Sequence, residues 1–157
     1  MIENENVYLL EYIYLFEVNK VMIKIVIGGD VCPINHNESY FKKGDAKSIF
    51  NDLFPEFKYA DFSIINLECS LIDKNTPIIK NGPVLGVSSK CINGIKNSGV
   101  KLVNLANNHI LDHGKKGLKN TIKVCQKEGI DIVGAGKNQE EAGEIRFIRE
   151  TISVQLF

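Results

Sequence analysis

Two similar junctions constrain this chain more than any other feature of it. NSGVKLVNLA, residues 97–106, and KEGIDIVGAG, residues 127–136, each pass from a helix end through a glycine into an apolar, β-branched run. Glycine suits that place because the residue just past a helix often takes the left-handed conformation, which a Cβ disfavours. The helices expected ahead of the junctions are Lys90–Ser98 and Leu118–Glu128, and the strands after them are Val100–Ala106 and Ile130–Ala135. Helices alternating with buried strands imply a largely parallel sheet with helices on its faces, an α/β fold of layered type. The likeness of the two junctions reads as one α/β unit recurring rather than as an ancestral duplication.

The upstream half fits the same scheme. VMIKIVI, residues 21–27, is closed by Gly28, Gly29 and Asp30 and reads as a buried strand. Phe62–Ile65 reads as a second one, leading into Asn66, Leu67 and Glu68. Between them Ala46, Ile49, Phe50, Leu53 and Phe54 recur at helical spacing, with Asp45 as N-cap and Pro55 as terminator. Residues 72–86, rich in Asn, Pro and Gly, read as a loop. In the later helix Leu118, Ile122 and Cys125 share a face and are expected against the sheet, with Lys119, Lys123 and Lys127 outward.

A chain of 157 residues holds one such domain, assigned here to residues 21–157. Residues 1–20 are an extension of undefined role, an added helix or the product of an upstream translation start, since Met22 stands where the domain pattern begins. Val7–Phe16 is apolar, but Glu11 interrupts it and acidic residues precede it, unlike a secretory signal. It is also too short to cross a bilayer. The expectation is a cytoplasmic protein without a transmembrane segment, or one held at a membrane through partners. Arg146–Phe157 reads as two short strands or a hairpin and ends on apolar Val154, Leu156 and Phe157, as if the domain stopped before closure. Nineteen basic residues balance nineteen acidic ones, so no basic field favours nucleic acid. A bound metal could still draw a phosphorylated substrate locally. The four cysteines form no C-x-x-C pair and read as reduced thiols.

Chemistry gathers at the strand ends. The first strand delivers Asp30, the second Asn66 and Glu68, and the third Asn107, Asn108 and His109. Open α/β sheets bind ligands outside the carboxyl ends of their strands, so the architecture directs these groups to one edge. Each has a plainer reading alone: a turn residue, a solvated acid, a cap, a histidine bonded to a carbonyl. Together they favour a site. Hard oxygen donors with an imidazole suit Mn, Mg, Fe or Zn. No G-x-G-x-x-G run occurs, which disfavours a dinucleotide-binding module.

LVNLANNHILDHGKKGLKNTI, residues 102–122, resembles the Asn-Asn-His signature of the CapA-type poly-γ-glutamate capsule synthesis family. ADFSIINLE (60–68), IGGDV (27–31) and GIDIVGAGKNQEEA (129–142) are similar to that family's other segments, in the same order. The family is related to the calcineurin-like metallophosphatases, and the resemblance implies a two-metal centre. Asp30 would be the first ligand, Glu68 a bridging carboxylate, Asn108 a ligand of the second ion and His109 the proton donor. Asn66, Asn107 and Asp112 would support the site or touch substrate, which would be phosphorylated or related to polyglutamate. Two cations can neutralise a phosphoryl group and activate water, and an imidazole can protonate a leaving oxygen. The chain departs from the pattern at Cys32, where metallophosphatases carry histidine, and it has no histidine after His113. Two outcomes are therefore expected of it. One is an incomplete hydrolase that self-associates or pairs with a missing C-terminal half; the other is a truncated, non-catalytic module acting by partner binding.

Overall fold

The computed structural model describes residues 23–147. In chain order the elements are β1 (Ile25–Val31), α1 (Glu38–Lys43), α2 (Ala46–Phe50), α3 (Phe54–Lys58), β2 (Phe62–Leu67), β3 (Ser70–Ile72) and β4 (Gly86–Ser88). Then follow α4 (Ile92–Asn97), β5 (Leu102–Asn104), α5 (Gly114–Lys127), β6 (Asp131–Val133) and α6 (Gln139–Ala142). β1, β2, β5 and β6 form one sheet in that spatial order, and every pair in it is parallel. β3 and β4 make a separate parallel pair. This is an α/β fold with a parallel sheet and flanking helices, consistent with a metallophosphatase-like domain.

The junction glycines behave as their sequence context requires: Gly99 has φ +92° and Gly129 φ +72°, each turning the chain from a helix into the next strand. Asp45 caps α2, its carboxylate accepting from the Ser48 N–H. The helix expected over residues 45–54 is broken, however. Asn51 takes φ +49°, a 3₁₀ turn follows, and Pro55 opens α3 instead of closing α2. A first-turn proline loses no hydrogen bond, so it starts a helix as readily as it stops one.

The core lies between the sheet and the helices, centred on Ile65, Leu67, Leu71, Ile95, Val103 and Leu105, with Cys69, Cys91 and Cys125 among them. β1 departs from its reading as a buried strand. It begins at Ile25, later than expected, and as an edge strand among the described residues leaves Ile25 58% and Ile27 76% exposed. Val21 and Met22 lie outside the described residues. β1 and β2 run further than expected at their ends, so that Asp30 and Asn66 belong to them rather than to the turns after them, whereas β5 and β6 are shorter than the expected runs 100–106 and 130–135.

α5 starts at Gly114, ahead of Leu118, and presents Gly117, Thr121 and Cys125 most deeply. Leu118 and Ile122 flank that line, half-buried against the core, and Lys119, Lys123 and Lys127 are exposed. The small residues allow β3 to lie close. Thr121 Oγ1 accepts from the Leu71 N–H (2.9 Å) and Asn120 Nδ2 donates to the Leu71 carbonyl (2.8 Å), so helix side chains serve Leu71 in place of a neighbouring strand. The strands or hairpin expected from Arg146 onwards fall almost wholly outside the described residues, and Arg146 and Phe147 themselves are not in a strand.

Candidate functional site

Parallel register places three polar residues in one row across the sheet, since Asp30 pairs with Asn66 and Asn66 with Asn104. Residues paired in register share a face, and this row lies at the carboxyl ends of the strands. Asn66 Nδ2 donates to Asp30 Oδ1 at 2.6 Å, and Asn66 Oδ1 accepts from Asn104 Nδ2 at 3.0 Å and Asn107 Nδ2 at 3.2 Å. Asn107 Nδ2 also donates to the Leu67 carbonyl (2.9 Å), and its Oδ1 accepts the His109 N–H (3.0 Å). A hydrogen-bonded path therefore runs from Asp30 through Asn66 and Asn107 to His109.

His109 continues the path into the interior. Its Nδ1 lies 2.7 Å from Asp112 Oδ2, and the two residues are only 8% and 1% exposed. The loop between β3 and β4 closes over this pair. Lys80 Nζ donates to Asp112 Oδ1 at 2.5 Å, the Leu85 N–H to Asp112 Oδ2 at 2.6 Å and the Ile78 N–H to the Asp112 carbonyl at 2.9 Å. Burial pushes the Asp112 carboxyl upward, but the hydrogen bonds from Lys80, Leu85 and His109, with the Lys80 charge, outweigh it and hold the group below its ordinary value. An ionised carboxylate only accepts, so the hydrogen between the two residues belongs to His109 Nδ1 and Nε2 is the nitrogen left for chemistry. The neighbouring His113 is arranged the opposite way: its buried Nδ1 accepts the Thr76 N–H at 3.1 Å, a structural contact.

The other predicted site residues stand apart from this network. The Glu68 N–H bonds the Val31 carbonyl at 3.0 Å, which fixes its backbone beside the end of β1, and its side chain is half-exposed. Asn108 is exposed, as is Asp30, of which Asn66 engages only Oδ1. Two open carboxylates and an amide oxygen fit a hard divalent cation by donor chemistry. Among the described residues no group of three or more His, Cys, Asp or Glu side chains stands ready to hold a metal. Cys32 packs against the core, and its neighbour Cys69 holds its thiol below the ordinary value, while the same contact and burial push the Cys69 thiol up. Burial raises Cys91 to about 11 and Cys125 to about 12, as in inert structural thiols.

Sequence reasoning missed Asn104 and Lys80. Asn104 sits inside an apolar strand run, and its alignment with Asn66 was the only available signal. Lys80 lies in a loop without periodicity, 32 residues from Asp112, and nothing local pointed to it. Among the described residues no helix is long and apolar enough to cross a membrane.

Known proteins place this arrangement in context. The family model described as bacterial capsule synthesis protein PGA_cap matches residues 24–156. Capsule biosynthesis protein CapA of Bacillus anthracis is 29% identical over 120 residues, covering 74% of this chain and 29% of that protein. PGA biosynthesis protein CapA of Bacillus subtilis strain 168 is 30% identical over 115 residues, covering 73% of this chain and 30% of that protein. The match thus spans less than a third of each relative's length.

Proposed function

This chain belongs to the bacterial capsule synthesis protein family PGA_cap, and we propose that it serves capsule or poly-γ-glutamate production through a metal-dependent phosphoesterase-type site. The observation that carries the reading is the path from Asp30 through Asn66 and Asn107 to the His109–Asp112 pair. It ties the Asp30 carboxylate to the backbone N–H of His109, whose imidazole Asp112 orients, and so supports a carboxylate and an oriented imidazole acting at one edge of the sheet.

In this reading Asp30, Glu68 and Asn108 would hold a divalent cation of the Mn, Mg, Fe or Zn type. When bound, the cation neutralises phosphoryl charge and activates a water. The chain's own residues supply the rest. Asn66 holds the Asp30 carboxylate through Oδ1, and Oδ2 would remain open to a cation. Asn107 fixes the backbone of His109, and Asp112 fixes the imidazole with Nδ1–H inward. Nε2 is thereby the nitrogen presented to substrate, where in its protonated form it gives its proton to the leaving oxygen. Asp112 stabilises the imidazolium before that transfer.

Calorimetric titration of the chain with Mn²⁺ tests the metal part. Groups that only hydrogen-bond a metal's ligands are worth about 10–100-fold in metal affinity, so Glu68→Gln is expected to weaken binding by at least about tenfold. Equal affinity in wild type and variant removes Glu68 from the site. Hydrolysis of an aryl phosphate with excess Mn²⁺, compared with His109→Ala, tests the chemistry; turnover unchanged in the variant defeats the role given to His109.

One observation favours a second reading. Among the described residues β1 is an edge strand that exposes Ile25 and Ile27, and an open apolar edge invites pairing, as in a non-catalytic module that acts by binding a partner. Absence of Mn²⁺ binding together with a concentration-dependent mass in solution is the result that selects it.

A further inference from the structure

We propose that Lys80 is an anion-recognising residue of this site, giving its spare N–H donors to a phosphoryl or carboxylate oxygen held beside the His109 imidazole. The inference rests on the reading above that His109 borders the substrate. The Lys80 ammonium donates to Asp112 Oδ1 and stands 3.4 Å from His109 Nδ1. That nitrogen cannot accept from it, because the Nδ1 hydrogen is already directed at Asp112 Oδ2. An ammonium carries three hydrogens, so two remain without an acceptor among the described residues after Asp112 is served. The Lys80 side chain is 21% exposed and that of His109 10%, so both keep an opening to the outside. A cation with free donors, next to an imidazole and largely withdrawn from water, is a place where an oxyanion forms strong charge-assisted bonds.

The alternative is that Lys80 merely clamps the loop between β3 and β4. The loop does not need it for that. Backbone N–H groups of Ile78 and Leu85 already bind Asp112, and the Thr76 N–H binds His113 Nδ1. A loop already held at three points depends little on a cation that reaches past the carboxylate to the edge of the imidazole, whereas anion recognition at that place depends on it.

The test is an NMR titration of the full chain with inorganic phosphate and, separately, with γ-glutamylglutamate, read at the backbone amides of His109 and Leu85. Lys80→Met is expected to lose about 10–100-fold in affinity, as for one charge-assisted hydrogen bond, while Lys80→Arg retains most of it. Asp112→Asn, which removes the neighbouring negative charge, is expected to bind the anion as well as wild type or more tightly. The stronger of the two anions identifies the source of the oxygen. Failure of wild type to bind either anion overturns the proposal, as does Lys80→Met binding within twofold of wild type. So does an Asp112→Asn loss equal to that of Lys80→Met, which is the signature of a clamp. If Asp112→Asn does not fold, amide exchange in Lys80→Met decides. Ile78 and Leu85 amides that stay protected while the anion is lost support recognition, and joint loss overturns it. Aryl phosphate hydrolysis separates this inference from the reading beneath it. Phosphate bound through Lys80 without turnover sinks only the phosphoesterase, and turnover with an unchanged KM in Lys80→Met sinks only the role of Lys80.

Discussion

Asp112→Ala should be among the most damaging single substitutions in the described part of the chain. The carboxylate is 1% exposed and serves three donors: Lys80 Nζ at 2.5 Å, the Leu85 N–H at 2.6 Å and His109 Nδ1 at 2.7 Å. Breaking a buried ion pair by removing one partner costs about 3–5 kcal/mol. Lys80 keeps some access to water and can turn outward, which discounts that part. The Leu85 N–H is part-buried, so leaving it without its acceptor adds about 1 kcal/mol, the low end for an orphaned donor. A loss of about 3–4 kcal/mol at neutral pH follows. With a urea slope of about 1–3 kcal/mol per molar, the unfolding midpoint falls by more than about 1 M. The effect also has a pH signature. Asp112 titrates lower folded than unfolded, so its contribution is fully present above the unfolded value of about 3.9 and is lost as pH falls through the folded value. Wild type and variant should therefore converge in stability below about pH 4. A cost under about 1 kcal/mol at neutral pH, or a gap undiminished in acid, refutes the role assigned to this carboxylate.

Two further substitutions test the packing that positions the site. Gly94→Ala would gain about 1 kcal/mol of helix propensity in α4, but a Cβ there would meet Phe41 Cα at 2.8 Å and Ile49 Cδ1 at 2.7 Å. Backbone cannot yield cheaply and overpacking costs about 1–3 kcal/mol, so a lower melting temperature is expected and a higher one would show that α1 and α4 separate freely. Thr121→Val keeps the shape of the side chain but leaves the buried Leu71 N–H without its acceptor. About 1–3 kcal/mol should be lost, with faster hydrogen exchange at Leu71; unchanged exchange would show that the α5–β3 contact does not depend on the hydroxyl.

What was legible in the sequence was what local chemistry dictates. Gly99 and Gly129 announced their turns because only a residue without Cβ sits easily at those φ values. Asp45 announced its cap, and apolar periodicity gave the lysine-bearing face of α5. Failures arose where one pattern serves two structures. A β-branched run does not tell whether one face of a strand or both are covered, and β1 proved to be an edge among the described residues. Helical spacing continues across Asn51 although the helix does not, because the residues beyond it form a new helix with its own apolar side. In the site, residues next to strand ends were visible, whereas Lys80 was brought to Asp112 by a loop whose path is set by the Asp112 and His113 contacts themselves.

The polar row shows why amides rather than further carboxylates stand between Asp30 and His109. Three carboxylates in register across adjacent parallel strands would repel one another and drive their own protonation. An amide both donates and accepts, so it can hold one charge without adding another. The charge also sets the direction of the chain of bonds. Ionised Asp30 only accepts, hence Asn66 must present Nδ2 to it and turn Oδ1 to the other side. Asn104 and Asn107 then have to present their own Nδ2 groups to that oxygen, which aims Asn107 Oδ1 at the His109 N–H and Asn104 Oδ1 at the Ala106 N–H. One ionised group at the end of β1 thereby orients every amide up to the backbone of the histidine. A second ionised group, Asp112, orients the imidazole from its other end. His109 is fixed between two carboxylates that never touch, and its remaining nitrogen is the only polar atom of the side chain that neither of them commands.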